Sequence, residues 1–318
     1  MTKIEIMHPR QRSQPQRPVV AWLFTLFCVA ASPQAITAEY RYEKINVPGS
    51  ESTVPRGINA RGDIVGGYLS EGYGHGFLLR NGVFKTIDFP NASETRAARS
   101  INARGDIVGN FLDLDSRSHG FLLSNGRFTQ IDPPGASETV VGAINNADDI
   151  MGLYYDAHGD GHGFIRKNRV FYEVSLPGTG GAVPTVNSGE DNGRVMVGHT
   201  VLPSDGGTRG FIITKPGEFE LIEYPGLPIQ CVGVWTINER GDMVGGYATI
   251  NPGDICHPPF GESHGFLLRD GEFTTIDFPG SPSSQAMGIN DDGWIVGRYV
   301  DRHGEFRGFK AVPRQGTP

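Results

Sequence analysis

Short apolar runs separated by Gly, Pro, Asn and Asp recur along most of this chain, and no long stretch carries apolar residues at helical spacing. In the clearest unit, four such runs predict β-strands at residues 55–59 (A), 63–69 (B), 75–80 (C) and 83–89 (D). Strand C is largely apolar on both faces, which is typical of a sheet packed between two other sheets. The 45 glycines and 22 prolines also fit a turn-dense, all-β architecture.

The four-strand unit occurs six times along the chain. Its copies share variants of Gly-Ile-Asn-x-x-Gly-Asp-Ile-Val-Gly, His-Gly-Phe-Leu-Leu and Ile-Asp-x-Pro-Gly, and we anchor them at Asn59, Asn102, Asn145, Asn187, Asn238 and Asn290. The intervals between these anchors are 43, 43, 42, 51 and 52 residues. Strand repeats of this period are typical of β-propeller blades. Gly66 and Gly67 in strand B are expected where side chains of the next blade approach the backbone.

The two ends of the repeat array predict how the ring closes. The sixth unit stops after its third strand, while residues 42–49 match the fourth strand of the other units. We therefore predict a six-bladed β-propeller with four-stranded blades, in which an N-terminal strand completes the last blade (3+1 closure). The propeller is expected to form one domain over residues 39–313, followed by a disordered tail at 314–318.

Residues 1–38 have the pattern of a signal peptide. A basic leader precedes an apolar run at 19–31, and the small-residue end at 36–38 is the predicted cleavage site. The apolar run has about 13 residues, short of the roughly 20 that a membrane-spanning helix needs, so a retained anchor is the alternative. We expect an exported protein with no membrane span after signal removal.

Charge and cysteine content limit which classes of partner and which cellular compartments we expect for this protein. The net charge of −7 becomes about −10 once residues 1–38 are removed, which argues against nucleic acid as a partner. Cys28 leaves with the signal, and the remaining pair, Cys231 and Cys256, is predicted to form a disulfide in an oxidising compartment. We expect a monomer.

The repeated segments His-Gly-Phe-Leu-Leu and Ile-Asp-Phe-Pro-Gly resemble those of the bacterial extracellular HAF-repeat family, over about residues 42–312. The resemblance implies a secreted or periplasmic bacterial protein with a β-rich repeat. It implies no catalytic residue and no cofactor. Arg209 and Arg307 depart from the pattern, because each replaces the His of strand C.

Topology separates two faces of the predicted ring. The A–B and C–D turns are short and uniform, whereas the B–C and D–A connections, on the opposite end, are long and varied. Function usually lies on variable loops, so we place the site on this second end, the B–C/D–A face. Its candidate ligand-binding residues are Arg56, Glu94, Arg96, Arg99, Trp235 and His257. All of these except His257 predict a polar pocket for a sugar or small anion, unless they only line a water-filled channel. His257 lies in the 16-residue B–C loop of the fifth blade, residues 248–263, which the predicted disulfide would hold in place.

Other polar residues are interpreted as structural. The His residues of strand C recur in several blades, whereas a catalytic His should be singular. Residues 156–162 carry oxygen ligands but lack the Glu of a twelve-residue calcium loop, so a solvated turn is favoured. No metal ion and no cofactor are predicted.

The leading functional hypothesis is a non-catalytic propeller that recognises an extracellular carbohydrate, peptide or envelope component through the B–C/D–A face. The alternative is an extracellular lyase or hydrolase acting on a polysaccharide or other polymer at the channel mouth, with catalytic residues unknown. A purely structural surface protein is the third class. Fold alone does not decide among them.

Overall fold

The computed structural model describes residues 40–191, 193, 195–215, 217–227, 230–248, 256 and 263–314. These residues form 24 β-strands in six four-stranded antiparallel sheets arranged as a propeller, which confirms the predicted fold class. The predicted signal peptide at 1–38 and almost all of the predicted tail at 314–318 lie outside the described residues.

Each of the first five sheets is built from consecutive strands. Blade 1 contains β2 (Ser52–Ile58), β3 (Ile64–Ser70), β4 (Tyr73–Arg80) and β5 (Val83–Ile87). Blade 2 contains β6 (Glu94–Ile101), β7 (Ile107–Leu112), β8 (Ser118–Ser124) and β9 (Arg127–Ile131). Blade 3 contains β10 (Ala136–Ile144), β11 (Ile150–Asp156), β12 (Gly161–Lys167) and β13 (Val170–Val174).

The second half of the ring follows the same order until its last strand. Blade 4 contains β14 (Thr185–Gly189), β15 (Met196–Val201), β16 (Thr208–Lys215) and β17 (Glu218–Ile222). Blade 5 contains β18 (Val232–Ile237), β19 (Met243–Ala248), β20 (Ser263–Arg269) and β21 (Glu272–Thr275). Blade 6 contains β22 (Ser284–Ile289), β23 (Ile295–Val300), β24 (Phe306–Pro313) and, from the other end of the chain, β1 (Tyr40–Ile45).

The first strand of each blade, strand A, is innermost. β2 contacts β6 on one side and β22 on the other, and the other A strands contact one another in sequence around the ring. The six A strands therefore surround a central channel.

The N-terminal strand closes the ring as predicted. β1 pairs antiparallel with β24, from Tyr40 opposite Pro313 to Ile45 opposite Gly308. An ion pair between Glu43 and Lys310, 2.7 Å apart, crosses the same strand pair. Blade 6 thereby gains its outer strand, and β24 is not left as a sheet edge.

Strand C explains the repeated His-Gly-Phe-Leu-Leu segment, because its Phe is fully buried in every blade. The six residues are Phe77, Phe121, Phe164, Phe211, Phe266 and Phe309. In blade 1 the ring lies over Gly66, where an added Cβ would be 2.8 Å or less from Phe77 and 2.3 Å from the carbonyl oxygen of Val54. The prediction that the next blade approaches the backbone of strand B is therefore confirmed only for Gly67, which faces Ala97 of blade 2. Gly66 is confined by atoms of its own blade.

The repeated Asn anchors join neighbouring blades. Asn59 accepts hydrogen bonds from the backbone N–H groups of Arg61 and Asp63, and its amide nitrogen donates to the carbonyl oxygen of Asn102 at 3.1 Å. Asn290 donates in turn to the carbonyl oxygen of Asn59 and so links the last blade to the first. Each of these Asn residues thus stabilises its own A–B turn and forms a hydrogen bond to the adjacent blade.

The anchor assigned to the fourth unit, Asn187, is wrong. Glu190 occupies that position, since its N–H donates to Val195, its carbonyl accepts from Gly193, and the Asn145 amide donates to it at 2.9 Å. The A–B turn of blade 4 is longer than its counterparts and lacks their Asn, so matching by residue identity selected an Asn three positions too early.

The repeated His residues are part of the scaffold. Each lies within hydrogen-bond distance of an acidic residue on strand D or just after it, at 2.6 to 3.4 Å. The pairs are His75–Asp88, His119–Asp132, His162–Glu173 and His264–Asp277. This arrangement supports the structural interpretation of these residues.

Candidate ligand-binding channel

Every A strand carries a β-bulge at the same position. Pairing with strand B skips one residue, for example between Pro55 and Gly57 in blade 1 and between Ala98 and Ser100 in blade 2. The skipped residues are Arg56, Arg99, Gly142, Asn187, Trp235 and Met287. A bulge redirects the side chain of its extra residue, and all six line one cavity in the channel. We call this set the channel ring.

At the channel ring the six repeats carry different residues. Each of its members stands three residues before the anchor position, yet four of the six blades carry a residue type found in no other blade. Three residues of extended chain span roughly 10 Å, so the ring lies well below the A–B turns. A symmetric scaffold therefore holds an asymmetric set of side chains at its centre.

Two arginines give the ring its charge. Burial, with smaller contributions from the charges of Arg99 and Arg298, lowers the pKa of Arg56 well below its usual range. Burial and the charge of Arg96 likewise lower the pKa of Arg99. No hydrogen bond or ion pair joins either side chain to another described residue, and the Arg56 Nε atom is buried without an acceptor.

Trp235 adds a second free donor. Its indole Nε1 is buried and has no hydrogen-bond acceptor among the residues described. Its ring meets the imidazole of His199 edge to face, with the ring centroids 5.0 Å apart. Trp235 and the two arginines line one cavity that is open to solvent, and the empty space in and around it is about 480 Å³.

His199 connects the channel ring to strand B of blade 4. The amide nitrogen of Asn187 is 2.9 Å from His199 Nδ1 and 2.8 Å from the carbonyl oxygen of Val234, to which it donates. Burial, and secondarily the charge of Arg99, lowers the pKa of His199 from 6.5 to about 4. The imidazole is therefore neutral at pH 7, and Nδ1 accepts the amide hydrogen.

A second cavity lies nearer the B–C/D–A face and shares Trp235 with the first. It holds about 580 Å³ of empty space and is lined by His199, Tyr247, Gln285 and the disulfide, among others. Its lining is mainly apolar. An aromatic wall shared by a cationic cavity and an apolar one can contact two chemically different parts of one ligand.

The predicted disulfide forms part of this second wall. Cys231 and Cys256 are bonded, with their Cα atoms 5.7 Å apart, and both are buried. The bond ties the long B–C loop of blade 5 to its strand A. Disulfides persist in oxidising compartments, so the bond is compatible with an extracellular or periplasmic protein.

The opposite mouth of the channel, among the A–B turns, is acidic. The carboxylates of Asp291, Glu239 and Asp191 each accept a hydrogen bond from a backbone N–H of the preceding blade, at 2.6 to 2.9 Å. Burial, opposed by one of these hydrogen bonds and assisted by the neighbouring carboxylates, raises the pKa of Glu239. The two ends of the channel therefore differ in charge.

The structure brings together three of the residues selected from sequence: Arg56, Arg99 and Trp235. Arg96 is exposed at an extra bulge of β6, one step toward the B–C/D–A face. Glu94 lies against Gly74 of blade 1 and does not line the cavity. His257 lies outside the described residues.

Sequence reasoning missed several groups around the cavities. Gly142, Asn187 and Met287 complete the channel ring, and His199 and Gln285 line the second cavity. Arg298 donates to Gln285 at 3.0 Å and contributes charge near Arg56. A signal existed for the ring: the residue three positions before the anchor position is large or charged in several blades, whereas its two neighbours in the chain are small or apolar in every blade.

Among the described residues, neither cavity is lined by an acidic residue or by a cluster of metal ligands. No Asp or Glu is among the lining residues of either cavity. Across residues 40–314, apart from the gaps given above, no group of three or more His, Cys, Asp or Glu side chains is placed to hold a metal ion. The same residues include no helix long and apolar enough to span a bilayer.

Comparisons with known proteins support the fold. No protein-family model and no curated protein sequence matches this chain. Among solved structures, the chain is similar to a triple arginine-to-alanine mutant of AofleA from Arthrobotrys oligospora, with 11% identity, a TM-score of 0.53, and coverage of 86% of this chain and 88% of that one.

Two further similarities are of the same order. A gluconolactonase from Xanthomonas campestris aligns at 9% identity and a TM-score of 0.52, over 86% of this chain and 90% of that one. Aleuria aurantia lectin, in complex with α-methyl-L-fucoside, aligns at 10% identity and a TM-score of 0.50, over 87% of this chain and 99% of the lectin. At such identities the likeness shows that this chain shares their propeller fold.

Proposed function

We propose that this protein is an exported, non-catalytic propeller that binds a carbohydrate of the cell envelope or its surroundings, reached from the B–C/D–A face. The observation that carries the proposal is the channel ring, where unpaired buried donors meet an aromatic wall inside an otherwise repetitive scaffold. Ligand sites combine apolar walls with a few polar groups of this kind.

Three further points support this function. The signal-like N-terminus and the disulfide fit export. The resemblance to the HAF-repeat family, which we retain as a proposal, suggests a bacterial extracellular protein. The names of two similar structures, a lectin and a gluconolactonase, are consistent with carbohydrate chemistry on this fold.

A lyase acting on an extracellular polymer is the second candidate, and one observation favours it. His199 is neutral and lies beside Arg99 in the channel, as a general base next to a charge-stabilising cation would. The Asn187 amide already occupies Nδ1, which leaves only the protonated nitrogen free and weighs against this role. A hydrolase that uses two carboxylates has no such residues among the described lining of either cavity.

A glycan array read with the exported protein tests the proposal. We expect binding to a limited set of glycans, and we expect Trp235→Ala to abolish it. Trp294→Ala is the matched control, because Trp294 packs on Gly62 at the A–B turns, away from the channel. If Trp294→Ala abolishes binding and Trp235→Ala does not, the ligand binds on the A–B side and the proposed B–C/D–A face is wrong. Formation of an unsaturated sugar by the wild type, followed by ultraviolet absorbance, would instead identify a lyase.

A further inference from the structure

We infer that the channel ring binds the oxyanion of an acidic saccharide, a carboxylate or a sulfate ester, between the guanidinium groups of Arg56 and Arg99. This inference rests on the proposed function and specifies its ligand. It concerns the charged part of the ligand, whereas the second cavity would receive an adjoining sugar ring.

The first reason is that these two arginines lack the carboxylate partners found at the buried Arg209 and the half-buried Arg307. Arg209 pairs with Asp205 and Glu223 at 2.6 and 3.0 Å, and Arg307 pairs with Asp301 at 2.9 Å. Arg56 and Arg99 have no such partner among the described residues. A buried cation without a counter-ion is costly, and an anion that accepts from both would offset that cost.

The second reason is that the donors left free in the cavity belong to the arginines and Trp235, whereas the Thr236 hydroxyl and the Asn187 amide are occupied. The hydroxyl of Thr236 donates to the carbonyl oxygen of Met287 at 2.8 Å, and the Asn187 amide donates to Val234 and His199. What remains for a ligand is the Arg56 Nε, the guanidinium groups and Trp235 Nε1. Free donors of this kind favour a ligand group that accepts hydrogen bonds, as an oxyanion does.

The third reason is the direction of access. Asp191, Glu239 and Asp291 would repel an anion at the A–B mouth, whereas Arg96 and Arg298 add positive charge on the side of the B–C/D–A face. An acidic ligand is therefore attracted from one end of the channel only. Trp235 lines both cavities, so a bound anion and a sugar ring packed under the B–C/D–A face can belong to one molecule.

The test is a set of titrations by isothermal calorimetry with matched ligands. A galacturonic acid trisaccharide is compared with the galactose trisaccharide of the same linkage, and galactose 6-sulfate with galactose. Sodium sulfate tests the anion alone. We expect binding of at least one of the two acidic saccharides and at least about 30-fold weaker binding of its neutral partner. Whichever acidic ligand binds identifies the anion as carboxylate or sulfate.

Variants then assign the effect to the ring. Arg99→Gln and Arg56→Gln should each weaken the acidic ligand by at least about 30-fold and leave the neutral one unchanged. Arg127→Gln is the control, because Arg127 is an exposed residue on strand D of the same blade as Arg99. Arg99→Lys, which keeps the charge, should restore part of the loss, and the melting temperature of each variant confirms that it is folded.

The possible failures are distinguishable. If neutral and acidic saccharides bind equally and the Arg99→Gln variant binds as the wild type does, the inference is overturned and the proposed function stands. If sodium sulfate binds in a manner that requires Arg56 and Arg99 but no saccharide does, the anion site stands and the proposed function fails. If none of the acidic probes binds, the inference is overturned, and the proposed function fails as well when the glycan array shows no ligand.

Discussion

Two positions on the same strand, three residues apart, show opposite uses of a polar side chain. At the anchors, Asn59 and its counterparts repeat, and their donors and acceptors are occupied by the turn and the neighbouring blade. At the channel ring the residue type varies among the blades, and Arg56 and Trp235 keep buried donors unoccupied. A polar residue that repeats in every blade and makes all its hydrogen bonds within the protein indicates a structural role. A residue that varies among the blades and keeps unsatisfied donors indicates a ligand-binding site.

The largest effect is expected from the most confined part of the scaffold. Gly245→Ala would place a Cβ 2.1 Å from the carbonyl oxygen of Gly233 and 2.5 Å from the ring of Phe266. We expect the free energy of unfolding to fall by about 3 kcal/mol or more, measured by urea denaturation. Gly246→Ala is the control, since the nearest atom to its added Cβ is Cγ of Gln285 at 3.3 Å. Equal losses in the two variants would contradict the packing described for strand B.

Two asparagines compare the anchor directly with the ring. Asn59→Ala removes a buried amide that makes several hydrogen bonds, so we expect a loss of about 3 kcal/mol in the free energy of unfolding. Asn187→Ala should cost about 1 kcal/mol, because this residue is not an anchor and borders a cavity. Chemical denaturation of both variants measures the difference. A greater loss for Asn187→Ala would restore it as the fourth anchor.

The buried imidazole of His199 predicts a pH effect. Its pKa is about 4 in the folded protein and near 6.5 once exposed, so the unfolded chain binds a proton that the folded protein does not. Stability from this group is therefore complete above pH 6.5 and declines as the pH falls toward 4, by about 2 kcal/mol. His199→Gln should flatten that decline in denaturation curves recorded across this range. His303→Gln, at an exposed His, should leave it unchanged.

The smallest expected effect is an increase in the free energy of unfolding. Arg99→Gln removes one of two half-buried cations without an ion-pair partner among the described residues, so we expect the ligand-free protein to become more stable by about 1 kcal/mol. Arg80→Gln should do the opposite, because Arg80 is paired with the buried Asp63. Differential scanning calorimetry of the two variants gives the signs. Destabilisation by Arg99→Gln would mean that the guanidinium has a structural partner.

Most of the fold was predictable because it repeats. Six copies of the same turn and strand signals reinforce one another, and the match of residues 42–49 to a missing strand predicted the closure that β1 and β24 make. The disulfide followed from Cys231 and Cys256 being the two cysteines outside the predicted signal peptide. Repetition fails where one copy departs, as at Glu190, because a residue of another type holds the turn through its backbone.

The candidate site was predictable only in part. Arg56, Arg99 and Trp235 stand out in sequence because they are large or charged on otherwise small, apolar strands. Asn187 was hidden because it resembled an anchor, and His199 because its distance from the ring depends on how blades 4 and 5 pack. Glu94 was selected for its charge, yet its side chain turns toward Gly74, a direction set by the pleat and the adjacent blade.

The pairing of Tyr40 with Pro313 joins residues near opposite ends of the described chain, and no shorter pairing supplies an outer strand to blade 6. Such a contact carries a large loop-closure entropy and a high contact order, so the circle can be completed only after the whole repeat array has been synthesised. During synthesis β1 would wait for β24. Until they meet, blade 6 is a three-stranded intermediate with an open edge, the stage at which we expect chaperone binding or misassembly with a second copy.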